Sequence, residues 1–405
     1  MRGPLPPSGP PHRTCDVTWM ISSDSHIVEF PDLFTGRIER AFVDAAPRVV
    51  QQEGRDWWTV EGELQVPALN PSRAGDRFDD PEQRRERTDF TRDVRLGGLD
   101  PDEWIKDNEA DGVWGGVLFP SMSLVFYGIE DSALLTAVCR VYTDWACEFA
   151  SAHPERLRAV AMINLDDVGA AVRELGRARS RGAAGALIPV SMPSGQTYDQ
   201  RVYDPFWAAA ADLGMPVSLH VATNRGRGAW RSGRVGQSFA LTDFHIRVAL
   251  SDMIMSGVFT RHPTLRVGSV EHEAGWALFW LQQMDHAYTE SIDLAGAFGG
   301  LEDGMSPSDV FHRNIFIGFT EDSVAVDQRH KIGVGNLLWG NDYPHGESTF
   351  PRSQEIVGSR FKGVPDEDRL RMTQTNTAQL YDFSLPDAPH RNAADENTYT
   401  TTRGK

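Results

Sequence analysis

Cysteine is scarce in this 405-residue sequence: Cys15, Cys139 and Cys147 are the only ones, and they show neither a metal-ligand spacing nor a disulfide framework. That scarcity excludes a small disulfide-stapled fold and suits a reducing compartment, the cytoplasm. Basic residues are the minority, 40 Lys and Arg against 57 Asp and Glu, and the net charge of −17 argues against nucleic acid or an anionic membrane as the main partner. No apolar run reaches the roughly 18 residues that a membrane span requires. The first residues lack the apolar core of a signal peptide, so 1–14, rich in Pro and Gly, read as a flexible arm and 385–405 as a flexible tail. No glycine-rich phosphate loop follows the first strand candidate, so the usual ligand signature of a doubly wound sheet is missing.

What is present is a rhythm. Short apolar runs read as strands at 17–22, 115–119, 158–163, 184–189, 216–220, 266–271, 313–318 and 336–340. Helical stretches near 101–111, 131–153, 167–181, 204–214, 239–259 and 274–290 separate them, and Asp166 or Asp167 stands where the third should be capped. Eight strands in regular alternation with helices predict an α/β fold, a closed (β/α)8 barrel, as one domain over 15–384. Residues 30–98 interrupt the rhythm as an insertion after the first strand. Within it Trp57 to Val66 alternates around Glu61-Gly62 as a hairpin, and a highly charged stretch from Asp79 reads as a solvated loop with a helical piece. An insertion leaving the catalytic end of the first strand overhangs the barrel mouth, where it serves either as a lid or as a purely structural hairpin.

The strand ends carry the chemistry. Asp24 and His26, two apart in an extended backbone, project to one side. His220, Glu271 and Asp342 stand at the ends of three later strands. In a barrel these ends meet on one face, and two imidazoles with carboxylates make a mononuclear site for a borderline divalent metal. Any one of these residues alone is more simply a buried polar group with a hydrogen-bond partner, whereas five at strand ends point to a site.

The chain resembles the amidohydrolase superfamily, in its amidohydrolase-2 group, which includes aminocarboxymuconate semialdehyde decarboxylase and the resorcylate-type decarboxylases. The likeness runs from about Trp19 to Phe383. It rests on Asp24-Ser-His26, Tyr142-Thr-Asp-Trp145, His153-Pro-Glu-Arg-Leu157, Pro216-Val-Ser-Leu-His220, Glu271-His-Glu-Ala-Gly-Trp276, Trp339-Gly-Asn-Asp-Tyr-Pro344 and Asn376-Thr-Ala-Gln-Leu-Tyr381. It implies metal ligation by Asp24, His26, His220 and Asp342, where the first pair is more often His-x-His or Glu-x-His. The sixth strand of the group usually ends in a catalytic His four residues before a Gly. Here that position is Glu271, with His272 beside it and His345 as a further replacement.

The resemblance therefore implies one divalent ion, Zn²⁺ first and Mn²⁺ or Fe²⁺ next, a small-molecule substrate and a homodimer. Asp342, Glu271, His272 and His345 are the expected catalytic groups. Decarboxylation of a small aromatic or unsaturated carboxylic acid is the leading expectation. Hydrolysis of a C–N, ester or C–C bond by metal-activated water is the alternative, and a non-catalytic metal-binding barrel the third.

Overall fold

A computed structural model describes residues 18–81, 86–226, 240–290, 300–302 and 304–385. The flexible arm and tail expected from the sequence, Cys15, and the centre of the charged stretch lie outside these residues. Eight parallel strands form one sheet: β1 (Met20–Ile27), β5 (Val113–Pro120), β6 (Leu157–Met162), β7 (Gly185–Ile188), β8 (Val217–His220), β9 (Val267–Val270), β10 (Ile315–Phe319) and β11 (Leu337–Trp339). They follow one another around the sheet in that order, and every expected strand is among them. Their apolar residues are buried on both faces, toward the barrel interior and toward the helical ring.

The barrel is brought to closure by the return of the last strand to the first. Asp342 N–H donates to the Asp24 carbonyl at 2.9 Å, and His26 N–H donates to the Tyr343 carbonyl at 2.7 Å. Gly340 lies so close to β1 that a Cβ there would sit 2.6 Å from the Asp24 Cβ and 2.9 Å from its nitrogen. Any side chain at 340 would wedge this seam open.

Below the seam, Asn341 ties the layers together. Its Oδ1 accepts from Ser25 at 2.8 Å, from Ser22 at 3.0 Å and from Tyr343 N–H at 3.2 Å. Its Nδ2 donates to Asn108 Oδ1 at 2.8 Å, and all these side chains are fully buried. Truncation strands several buried polar groups at ~1–3 kcal/mol each. Asn341→Ala should therefore lose on the order of 3 kcal/mol of stability, read as a lower urea midpoint with an unchanged slope.

The helices follow their caps. Pro101–Ala110 starts at Asp100, Ser132–Ala150 at Asp131, and Val168–Ser180 at Asp167, whose carboxylate accepts from Ala170 N–H. Asp166 is instead bound to Arg225. Cys139 and Cys147 are buried, reduced residues on Ser132–Ala150. The single helix expected over 239–259 is two: Asp243–Met255 ends before Gly257, which has φ +74°, and Val258–Arg261 follows.

The insertion is more ordered than its charge suggests. It holds a three-stranded antiparallel sheet of β2 (Arg48–Gln52), β3 (Arg55–Val60) and β4 (Glu63–Pro67), with the β3–β4 turn at Glu61-Gly62 as expected. Trp58 is buried edge-on against Phe34 and Phe126. Before the charged stretch Asp76 receives Arg73 at 3.0 Å and Arg87 at 2.6 Å, and of the stretch itself the described residues Asp79, Asp80, Pro81 and Glu86 are exposed, as a solvated loop would be. Arg73 and Ala74 N–H both donate to the Pro344 carbonyl, which pins the insertion to the loop after β11.

Candidate active site

Four strand ends supply the site. Asp24 and His26 lie within β1, not beyond it, at a break in the β1–β5 register between Ser22 and Ser25. Such an irregularity re-aims side chains, and here both turn into one point. His220 ends β8, Glu271 follows β9, and Asp342 comes three residues after β11. Glu271 (φ +61°) and Asp342 (φ +57°) both hold left-handed backbone, as does Ala222 (φ +71°) after β8. Strain of this kind persists only where the surroundings enforce it, and it gathers at this rim.

The polar atoms converge. His26 Nε2 lies 3.3 Å from Asp24 Oδ1 and 3.2 Å from Asp342 Oδ1; His220 Nε2 lies 3.5 Å from Asp24 Oδ1 and 3.4 Å from Glu271 Oε2. The other ring nitrogens are already committed. His26 Nδ1–H donates to the Pro120 carbonyl at 2.9 Å, and His220 Nδ1–H donates to the Val221 carbonyl at 3.0 Å. In the neutral rings, each Nε2 therefore presents a lone pair toward carboxylate oxygens, an arrangement that repels unless a cation lies between them.

Asp24 Oδ1, His26 Nε2, His220 Nε2, Glu271 Oε2 and Asp342 Oδ1 are all buried with no hydrogen-bond partner. Two four-residue donor groups result, Asp24–His26–His220–Glu271 and His26–Glu271–Asp342–His345, each with its donor atoms within 4.8 Å of one another. Orphaned buried polar atoms are costly, and a divalent cation within either group would satisfy those of its members. The donor chemistry suits a divalent ion, but the expected ligands Asp24, His26, His220 and Asp342 are divided between the two groups, with Asp24 and His220 in one and Asp342 in the other.

The charges point the same way. Burial would raise Asp24, but the His220 and His26 imidazoles outweigh it and hold the carboxyl below its usual range. Burial would lower His26, yet Asp24 and Asp342 hold it well above the ordinary imidazole range. Without a cation the cluster takes up protons instead. Burial, then the neighbouring Asp342 and Asp24, push Glu271 well above the carboxylate range. Burial opposes the lowering of Asp342, whereas His345 and His26 produce it.

His345 stacks on His26 with ring centroids 3.8 Å apart. Its Nδ1 lies 2.8 Å from Asp342 Oδ1, and Ser121 Oγ lies 3.1 Å from its Nε2. The Asp–His–Ser order has the form of a hydrolase triad, but among the described residues the backbone amides that follow Ser121 are not free to form an oxyanion hole. The backbone amides of Met122 and Ser123 are both consumed by the buried Glu29 carboxylate, at 2.8 and 2.9 Å. His272 is not brought into either donor group. It is buried, its Nδ1 lies 3.1 Å from Ser269 Oγ, and burial together with His220 pushes it down to about 3.

The cluster opens into a cleft of about 520 Å³ at the barrel mouth. Glu271, Asp342, His345 and Ser121 form its floor; Met122, Leu124, Val125 and Val221 give an apolar wall, and the insertion adds Val66, Pro71, Arg73 and Arg77. The insertion thus lies beside the mouth, as its departure point predicted. Ser121, Glu29, Arg73 and Arg77 were not singled out from the sequence. Pro120-Ser121 at the end of a strand was the one local signal available.

These features define a metal-dependent enzyme of the amidohydrolase superfamily. The amidohydrolase family model matches residues 104–383, and the chain belongs to that family. Among curated relatives it is 26% identical to the gamma-resorcylate decarboxylase of Rhodococcus jostii over 264 residues, 60% of this chain and 76% of that one. An amidohydrolase structure from Mycobacterium avium subsp. paratuberculosis superposes with a TM-score of 0.70 at 20% identity, covering 90% of this chain and 99% of the other. A 5-carboxyvanillate decarboxylase from Novosphingobium aromaticivorans, complexed with manganese and 4-hydroxy-3-methoxy-5-nitrobenzoic acid, superposes with a TM-score of 0.65 at 16% identity, covering 90% and 96%. Such structural likenesses establish the barrel. Among the described residues no helix is long and apolar enough to cross a membrane.

Proposed function

We propose that the chain is a non-oxidative decarboxylase of a small aromatic carboxylic acid. The supporting observation is the set of buried imidazole and carboxylate atoms without hydrogen-bond partners at the base of a cleft that has an apolar wall. The decarboxylase names of the relatives support the same reading.

Asp24, His26, His220 and Asp342 would hold one divalent ion, leaving Glu271 free to carry a proton. Bound there, the ion supplies Lewis-acid charge to an anionic oxygen of the substrate. The apolar wall stacks the ring and excludes water. Glu271, 32% exposed toward the cleft, donates its proton to the ring carbon as the bond to the carboxylate breaks and carbon dioxide leaves. Its proton is then replaced from the cleft. Asp342, beside His345, accepts the proton of a substrate hydroxyl and returns it to the product oxygen before release. His272, turned to Ser269, is left with a packing role. The insertion acts as a lid, and the enzyme works as a cytoplasmic homodimer.

Two imidazoles with several carboxylate oxygens suit zinc or manganese, and zinc remains our first expectation. Elemental analysis of the purified protein should find one divalent ion per chain, and its removal by a chelator should abolish turnover and lower thermal stability. The reaction itself is tested by supplying hydroxybenzoic and dienoic acids and measuring carbon dioxide. Release from at least one hydroxybenzoic acid is expected. Hydrolysis of aryl esters or amides with no carbon dioxide from any acid would replace this reading with the hydrolytic one.

A further inference from the structure

The opposite face of the barrel carries a second cavity, of about 240 Å³, at the N-terminal ends of β8, β9 and β11. Arg266, directly before β9, and Arg371 both line it, with Thr264, Gly335 and Gln379. Arginines nearby are neutralised by acids: Arg261 by Asp204 at 2.8 Å, Arg313 by Glu302 at 2.9 Å and Arg329 by Asp368 at 2.7 Å. Arg266 is different. Its Nε is buried without an acceptor, and no carboxylate among the described residues pairs with it. Burial pushes its guanidinium down with nothing to offset the cost.

Arg371 comes to the same cavity by an unusual route. The helix Asp366–Leu370 passes into a π-helical turn over Arg371–Thr375, which shifts the side chains out of ordinary helical register. The guanidinium lies against the Gly335 backbone, where a Cβ would meet its Nη2 at 3.0 Å. No ion pair is formed by Arg371 among the described residues either. In a chain of net charge −17, two arginines that form no ion pair among the described residues line one cavity.

We propose that this cavity is a binding site for a small oxyanion with two or more acceptor oxygens, a phosphate or a carboxylate, held between Arg266 and Arg371. Planar guanidinium groups match such oxygens in paired hydrogen bonds, and the partly desolvated Arg266 gains the counter-charge it lacks. The site stands apart from the barrel mouth and does not depend on the reaction assigned there.

The test is calorimetric titration of the full chain with inorganic phosphate and, separately, with malonate, at ionic strength held constant with sodium chloride. Saturable binding of at least one anion at one site per chain is expected, and the preferred anion names the source. Arg371→Gln, at an exposed side chain that folding does not require, should weaken that binding at least tenfold, as should Arg266→Gln, with melting temperature in the absence of anion close to the parent's. Absence of saturable heat with both anions would overturn the proposal. So would undiminished binding in both variants, which would place the anion elsewhere.

Discussion

Asp342→Asn should lower turnover by on the order of 10³–10⁴-fold, the upper range for removing a positioned proton-transfer group. The substitution keeps the shape of the side chain, and asparagine tolerates the left-handed backbone at φ +57° as aspartate does. The seam bond from the 342 N–H to the Asp24 carbonyl is a backbone bond and survives. Thermal stability with excess metal should therefore stay within a few degrees of the parent's. What is lost is the oxygen charge that faces His26 at 3.2 Å and His345 at 2.8 Å. Normal turnover in this variant would remove Asp342 from the mechanism and the mechanism with it.

Glu271→Gln separates acid catalysis from metal retention. Glutamine reproduces the volume and one acceptor oxygen but cannot release a proton. Turnover should fall by about 10²–10³-fold, while elemental analysis still finds one ion, because Asp24, His26, His220 and Asp342 remain. A variant that turns over normally would pass the acid role to His345, whose own replacement by Gln is then the decisive one. A variant that loses its metal would make Glu271 chiefly a ligand, in keeping with its 3.4 Å approach to His220.

Much of this was legible in the residues. Eight apolar runs at near-regular spacing gave the barrel, because buried parallel strands leave little room for anything but Val, Ile, Leu and Ala. His220 and Asp342 were readable because ionisable groups at the ends of such runs need partners. Other features left no local trace. The strand Arg48–Gln52 is polar at its end and half exposed, so it lacks the apolar signature of its neighbours. Glu271 and His272 are adjacent, and composition cannot say which one turns inward; the left-handed backbone at Glu271 decides it. Ser121 and Arg73 belong to the site only through the register of elements far apart in the chain.

The seam at Gly340 sets an order on how this molecule comes into being. Ser22 and Asn341, bonded across it, are 319 residues apart in the chain. At ~5–20 residues per second of synthesis, the first strand waits roughly 16–64 s for its final neighbour to be made. During that interval β1 can lean on β5, but its other edge stays open, a template for unwanted pairing. A divalent ion held, as proposed, by Asp24 and His26 of β1 and by Asp342 in the loop after β11 would bridge the join. The residues proposed for the site would then meet only when the perimeter closes, and a half-assembled chain would expose no complete site.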